Sequence, residues 1–325
     1  MSPRVTIKSI AKDLGISHMT VSRALSNHPN VLKETREAIQ EHARKVGYVK
    51  SAAAKAMRGD ETRIVGLLLP NIVNEFYARF ANTMALACEE QSLQLIIHLT
   101  GDDIAAEEKA LQRLHEIQAQ GVVMVPAPGH SETELTHLRA MSVIQLIRQS
   151  DTGEATPSIL VNDRTALKNA VAHLAAEGHK NIAFIGADSR LSSGRSRLAA
   201  FRAGLASAGI QEEPMLVCTG PPSAEMGLKQ AKRLIEQKKA TALICGGFEI
   251  SNGALNALMD AGLSPSGPMA FVGYGDPSFY SWIGGGVSTI SVPVESLAYK
   301  AVELLGQAAF EIQEHRFDAV LLVRS

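Results

Sequence analysis

The chain has 325 residues, of which 46% are hydrophobic and 20% charged, and its formal net charge is −1. This length exceeds one ordinary domain and is enough to bury sizeable cores, so we expect two or three lobes. No apolar run reaches the roughly 20 residues of a membrane span, and the polar N-terminus lacks the apolar core of a secretory signal. We therefore expect a cytoplasmic, nucleoid-associated protein with no membrane partner.

Charge is unevenly distributed along the chain. Residues 1–60 hold eleven Lys/Arg and five Asp/Glu, which is a net +6, and residues 61–325 carry −7. A basic segment joined to an acidic body suits phosphate binding at one end only. The three cysteines are widely spaced in apolar segments, so we expect buried free thiols in a reducing compartment: Cys88, Cys218 and Cys245.

The first 49 residues have the pattern of a helix-turn-helix domain. Apolar residues recur at helical spacing from Ile7 to Leu14, after a hydroxyl at Thr6 that is able to cap the helix. Gly15 then permits a tight turn into a second helix, in which Val21 and Leu25 face inward. A third helix, over about residues 34–46, braces the first two. This arrangement predicts a second helix that enters the major groove of DNA.

These segments resemble the LacI/GalR family of bacterial transcription regulators. The resemblance is carried by Val5–Ala11, Gly15–Ser17, Thr20–Leu25, Glu34–Arg36 and Gly47–Tyr48, and it continues in the family's order over nearly the whole chain. It implies the following DNA-binding residues: Thr6, Ser17, His18, Met19, Thr20, Ser22, Arg23, Asn27, Lys50, Ala54 and Met57.

His18, Met19 and Arg23 lie at the positions where family members read base edges. Arginine there is able to bind guanine O6 and N7 together. The alternative is that these side chains are only solvated residues on a surface helix. Leu32 replaces the hydroxyl that the family usually places before its third helix, so we expect a weak or shifted cap at that helix.

Residues 50–62 form a predicted hinge helix and linker. The alanine-rich run from Ser51 to Arg58 is too short to be a stable helix alone. In the family this segment pairs across a homodimer on the operator, and Met57 holds the position of the residue wedged into the minor groove. The alternative is a linker methionine with no such role.

Residues 63–325 alternate buried strands with helices, which predicts doubly wound parallel sheets. We expect two similar α/β lobes, with the chain crossing between them near residues 158–164 and 287–293. The N-lobe is expected at about 63–160 and 288–292, and the C-lobe at about 161–287 and 293–325. By resemblance this is a periplasmic-binding-protein-like core whose ligand lies at the carboxyl ends of the strands.

The resemblance implies an effector site, and Arg197 is the residue that we most expect to bind the ligand. The candidate residues are Asn71, Phe76, Tyr77, Arg148, Asn162, Arg195, Arg197, Phe248 and Asp276. For Arg197 the alternative is an ion pair on a helix surface.

The candidate site departs from the pattern of sugar-binding relatives. Gly246-Gly247 replaces the Asn-Asp that such relatives commonly carry, and the ligand-binding aspartate is displaced to Asp276 or lost. The arginines remain, and their forked donors match carboxylates. The hypothesis is a sugar acid or another organic acid.

Enzyme motifs are absent from the sequence. There is no Gly-x-Gly-x-x-Gly after a strand, no Walker loop, no His-Glu-x-x-His and no Gly-x-Ser-x-Gly, and the histidines are scattered. We expect no catalysis, no cofactor and no metal.

The expected function is a transcriptional repressor of a catabolic operon. It would bind a near-palindromic operator as a homodimer under the control of a small-molecule effector, and the chain's last residues carry no leucine heptads that would add a tetramer contact. The alternative is an activator, or a global catabolite-type regulator with a protein or phosphorylated-metabolite effector.

Overall fold

The computed structural model describes residues 5–48, 62–129, 141–150, 156–307 and 312–324. It divides into two compact units, Met1–Thr62 and Arg63–Ser325. Of the predicted hinge helix and linker at residues 50–62, residues 50–61 lie outside the described residues.

The first unit contains three helices, namely α1 (Ile7–Leu14), α2 (His18–Leu25) and α3 (Lys33–Lys45). The Thr6 hydroxyl accepts a hydrogen bond from the Ser9 backbone N–H at 3.2 Å, and the Thr6 N–H donates to the Ser9 hydroxyl at 2.9 Å. This reciprocal capping starts α1. Gly15 ends it with a φ of +65°, a conformation that glycine adopts without strain.

The three helices enclose a small apolar core. Ile10, Val21, Ala24 and Ile39 are almost completely buried in it. No side chain caps α3 at Leu32, which confirms the weak cap expected from the sequence.

The second unit is built on two six-stranded sheets whose strand orders match. The first sheet runs β11-β5-β4-β3-β1-β2 and the second β12-β10-β9-β8-β6-β7. All pairings are parallel except β10 with β12. The strands are β1 (Ile64–Leu69), β2 (Gln94–Leu99), β3 (Gly121–Met124), β4 (Ser142–Leu146), β5 (Ser158–Asn162), β6 (Ile182–Ala187), β7 (Val217–Gly220), β8 (Ala242–Gly246), β9 (Ala270–Tyr274), β10 (Ser288–Ser291), β11 (Glu314–Asp318) and β12 (Val320–Leu322).

Helices cover both sheets. They are α4 (Glu75–Glu90), α5 (Ile104–Glu116), α6 (Arg164–Ala176), α7 (Ser192–Ser207), α8 (Ala224–Gln237), α9 (Phe248–Asp260) and α10 (Val294–Leu305). The repeated order 2-1-3-4-5 is doubly wound, and such sheets bind ligands at the carboxyl ends of the strands, where the winding reverses.

The predicted lobe boundaries are wrong near the C-terminus. β10, which had been assigned to the N-lobe, belongs to the second sheet, and β11 pairs with β5 in the first. α10 packs on α4, so it belongs to the first lobe as well. The first lobe therefore comprises β1–β5, β11, α4, α5 and α10, and the second comprises β6–β10, β12 and α6–α9.

A third crossing between the lobes lies at Ala319, between β11 and β12. This crossing was not predicted, because β11 is an edge strand and its polar sequence is typical of a loop. The residues of β11 alternate between exposed and half-buried.

Helices α8 and α9 pack closely through two glycines. A Cβ atom on Gly253 would lie 1.9 Å from the Ala224 carbonyl oxygen, and one on Gly227 would lie 2.2 Å from the Ile250 carbonyl oxygen. Both obstacles are backbone atoms, which have little freedom to move aside.

We predict that Gly253→Ala lowers the free energy of unfolding by about 1–3 kcal/mol or more, because overpacking forces the two helices apart. Urea denaturation followed by circular dichroism would measure it. Asn256→Ala, on the exposed face of the same helix, is the control and should stay within about 0.5 kcal/mol of the parent. Equal effects from the two substitutions would contradict the prediction.

Candidate functional site

The outer face of α2 presents three exposed side chains, His18, Met19 and Arg23. Burial of Val21 and Ala24 fixes which face of the helix points outward. Ser22 and Thr20 are half-buried at the edges of this face. The face therefore offers a guanidinium, an imidazole and a thioether to a partner surface.

Two of the remaining candidates act as caps. The Ser17 hydroxyl accepts from the Thr20 N–H at 3.1 Å, as the Thr6 hydroxyl does from Ser9 in α1. These hydroxyls fix the positions of both helix starts.

Asn27 follows α2 with a φ of +56°, and its side-chain oxygen accepts from Gln40 Nε2 at 2.8 Å. Arg36, which the sequence analysis did not single out, donates to the Val31 and His28 carbonyls at 2.9 and 3.0 Å. Side chains of α3 thus hold the loop after α2. Lys50, Ala54 and Met57 lie outside the described residues.

A cavity opens between the two lobes of the second unit, at the carboxyl ends of the strands. Ligands of doubly wound folds bind at this edge of the sheet. Six of the nine predicted effector residues line it: Asn71, Phe76, Tyr77, Arg148, Arg197 and Phe248.

The other three predicted effector residues do not line the cavity. Asn162 donates to Asp318 at 2.6 Å, and Arg195 donates to the Ser189 carbonyl at 2.7 Å on the exposed side of α7. Asp276 accepts two hydrogen bonds from Arg324, at 2.7 and 2.9 Å, and so anchors the chain after β12.

Arg197 is buried in the cavity wall, and each of its three nitrogens donates a hydrogen bond. Its Nε donates to Asp163 at 2.6 Å, and its other nitrogens donate to the Gly246 carbonyl at 3.1 Å and the Tyr274 hydroxyl at 2.6 Å. The Tyr274 hydroxyl donates to the same Asp163 oxygen at 2.7 Å. Burial would lower the pKa of Arg197, but Tyr274 and Asp163 outweigh it and raise the pKa overall, so the guanidinium stays charged.

Arg148 lies in the opposite wall and is also paired. Its Nε donates to the Pro126 carbonyl at 2.6 Å, and its terminal nitrogen donates to Asp102. Both arginines of the cavity thus have a carboxylate partner within the protein.

Tyr77 and Glu249 also line the cavity. Burial raises the pKa of Tyr77 to about 12, so its phenol remains neutral. Burial also raises the pKa of the Glu249 carboxyl. Among the described residues Glu249 has no hydrogen-bond or ion-pair partner.

Aromatic rings from both lobes meet beside these groups. The ring centroids of Phe76 and Phe248 are 5.3 Å apart across the lobes, and Phe248 lies 6.0 Å from Tyr274. The Gln149 N–H also donates to the Ser192 hydroxyl at 2.8 Å, from the first lobe to the second. The lobes therefore touch at two places beside the cavity.

Several polar residues of this site were not among the predicted ones, and four of them are charged or phenolic: Asp102, Asp163, Glu249 and Tyr274. Asp163 and Glu249 each adjoin a residue that was chosen, Asn162 and Phe248. For Asp163 the available signal was the alternation of side chains along a strand, because successive residues of a strand point to opposite sides. Nothing local marks Asp102, whose partner is 46 residues away.

Two family models match the chain. Residues 6–51 match the model described as "Bacterial regulatory proteins, lacI family", and residues 171–317 match a periplasmic binding protein-like domain. No helix among the described residues is long and apolar enough to cross a membrane. The same residues contain no group of three or more His, Cys, Asp or Glu side chains placed to hold a metal.

Curated relatives align over nearly their whole length. The chain is 26% identical to the probable transcriptional repressor ExuR of Bacillus subtilis, covering 93% of this chain and 90% of the relative. It is 27% identical to the sucrose operon repressor of Klebsiella pneumoniae, with coverages of 94% and 92%. Its fold matches the Lac repressor dimer bound to operator and the anti-inducer ONPF, with a TM-score of 0.82, 21% identity, and coverages of 99% and 98%.

A helix-turn-helix unit followed by a bilobed, ligand-binding type of α/β core defines a class of bacterial transcription regulators. The features that place this chain in the class are the capped α1–α2 pair and the two matching sheets. The chain thus carries a LacI-family DNA-binding domain at residues 6–51 and a periplasmic-binding-protein-like domain at residues 171–317.

Proposed function

We propose that the chain is a repressor of a catabolic operon, which binds a near-palindromic operator as a homodimer and responds to a small molecule held between its lobes. The observation that carries the proposal is that one chain combines an exposed recognition face on α2 with a polar cavity lined from both lobes. Such a regulator acts in the cytoplasm, where the DNA is.

The cavity supports control by an effector. A ligand in it would touch Phe76 and Arg148 of the first lobe and Phe248 and Arg197 of the second. A ligand changes an equilibrium only by its difference in affinity for two states, and a molecule that bridges both lobes favours the closed state. Closure would then be coupled to DNA affinity.

A dimer is part of the proposal because one recognition helix reads only a few base pairs. Two-fold related helices would read two half-sites, so the preferred DNA should be a near-palindrome. The Lac repressor, whose fold this chain shares, is a dimer on its operator in the matched structure.

The proposal is tested by selecting duplexes from a random pool with the full chain and measuring their affinity by fluorescence anisotropy. We expect a near-palindromic site that binds at least 10³-fold more tightly than random competitor, in line with specific regulators. Binding that never discriminates between the selected duplex and random DNA would overturn the proposal.

The direction of regulation is tested separately. A reporter gene under the selected site should be expressed less when the full chain is present, and an increase would favour an activator.

A sugar acid or another organic acid is one class of effector to test. The sequence favoured it because three arginines seemed free to bind an acid, and the structure weakens this argument. Arg195 lies outside the cavity, and the other two arginines are paired with aspartates.

A further inference from the structure

The charges around the interlobe cavity do not balance. Arg197 is paired with Asp163, and Arg148 is paired with Asp102. Those four charges cancel. Glu249 is the charged lining residue left over, so the cavity carries about one net negative charge when this carboxyl is ionised.

Glu249 is placed to meet a ligand rather than the protein. Glu249 is the second residue of α9, and the residues just before it, Gly246 to Phe248, line the cavity. Glu249 lines the cavity as well. It is half-buried, and no described residue pairs with it. Burial raises the pKa of its carboxyl, because removal from water disfavours the ionised form.

The rest of the lining suits an organic cation. Phe76, Tyr77 and Phe248 border the cavity, and so does Tyr274, although the Arg197 guanidinium already covers one face of the Tyr274 ring, 4.0 Å from its centroid. Aromatic rings attract cations through their negative faces, and groups of such rings recognise ammonium compounds. A carboxylate beside several aromatic rings is thus complementary to a positive charge carried on a partly apolar molecule.

Resting on the proposed effector role of this cavity, we infer that the effector carries a positively charged nitrogen that pairs with Glu249 and lies against the aromatic rings. The charges of both cavity arginines are already balanced by Asp102 and Asp163, and an anion would approach Glu249 with like charge. A neutral polyol would leave the Glu249 charge uncompensated.

The experiment is a calorimetric titration of the full chain with matched probes. The panel contains choline and its neutral isostere 3,3-dimethylbutanol, then glucosamine, glucose and glucuronate, then agmatine and other guanidino compounds with their neutral and acidic counterparts. We expect the tightest ligand to be a cation that binds at least 10-fold more tightly than its neutral isostere.

Glu249→Gln should reduce the affinity of that cation by at least 10-fold. The matched control is Glu225→Gln, because Glu225 is also the second residue of its helix, α8, but is exposed and does not line the cavity. Unchanged thermal unfolding would show that both variants are folded. The inference is overturned if a neutral or acidic probe binds most tightly, if no cation binds, or if Glu249→Gln leaves the affinity unchanged.

Failure of this inference is distinguishable from failure of the proposed function. Specific binding of the selected duplex does not depend on which probe wins the titration. If the chain discriminates between duplexes but prefers an acid, only the inference fails. If it shows no preference between duplexes, the proposed function fails whatever the cavity binds.

Discussion

Replacing Asp163 with alanine is expected to lower the free energy of unfolding by about 3–5 kcal/mol, because the change leaves a buried guanidinium without its counter-charge. Arg197 and Asp163 have side chains that are only 10% and 5% exposed. The carboxylate also accepts the Tyr274 hydroxyl, so one substitution removes two hydrogen bonds. Urea unfolding of the full chain, followed by circular dichroism, would measure the loss.

A double variant separates lost charge compensation from lost packing. Asp163→Leu combined with Arg197→Met removes both charges and keeps apolar volume at each position. Its loss of stability should be clearly smaller than that of Asp163→Ala alone, since a buried ion pair often contributes little more than apolar residues of similar size. A double variant as unstable as the single one would show that the pair's charge is not the cause.

An ion pair at the surface, whose arginine lies on the same helix α7 as Arg197, provides the matched control. Arg202 and Glu212 form a two-pronged ion pair, at 2.8 and 3.0 Å, but their side chains are 52% and 28% exposed. Glu212→Ala should cost no more than about 1 kcal/mol, because water compensates exposed charges. Equal losses at Asp163 and Glu212 would contradict the importance assigned to burial.

The position of Asp163 links this stability to function. It lies between β5 of the first lobe and α6 of the second, at one of the crossings, and its partner Arg197 contacts the ends of β8 and β9. The ion pair therefore fixes the crossing segment against the second lobe at the cavity wall. Arg197 already donates hydrogen bonds to the protein itself. A ligand that binds Arg197 would therefore share this side chain with Asp163 and Tyr274.

Local patterns predicted the first unit well. The capping hydroxyls, Gly15 and the apolar spacing around Val21 are all local signals, and the structure contains the three helices within about a residue of the predicted limits. The two parallel sheets were also predictable, because fully buried strands are continuous apolar runs such as Ile64–Leu69.

Pairings between distant residues could not be predicted in the same way. Arg148 and Arg197 looked like free cations in the sequence, but their carboxylates lie 46 and 34 residues away. The polar edge strand β11 lacked an apolar pattern, so the third crossing was missed. Sequence spacing therefore located the cavity walls but gave the wrong charge balance within them.

Arg23→Ala is expected to weaken binding to the selected operator by roughly 30-fold to 10⁴-fold. An arginine bound to a guanine by two hydrogen bonds contributes about 1–3 kcal/mol of discrimination, and a dimer would lose this contact in both half-sites. Arg23 is exposed on the recognition face of α2, and no described residue pairs with its guanidinium. Fluorescence anisotropy with the selected duplex and with random duplex would measure both affinities.

Arg44→Ala is the control that separates base reading from general charge, since Arg44 is equally exposed but lies in the last turn of α3. Both variants lose one positive charge per chain, so both should weaken binding to random DNA by a similar, small factor and reduce its salt dependence slightly. Only Arg23→Ala should also reduce the ratio of specific to random affinity. Should the two variants reduce that ratio equally, the assignment of Arg23 as a base-reading residue would fail, and α2 would contribute only electrostatic attraction to the phosphates.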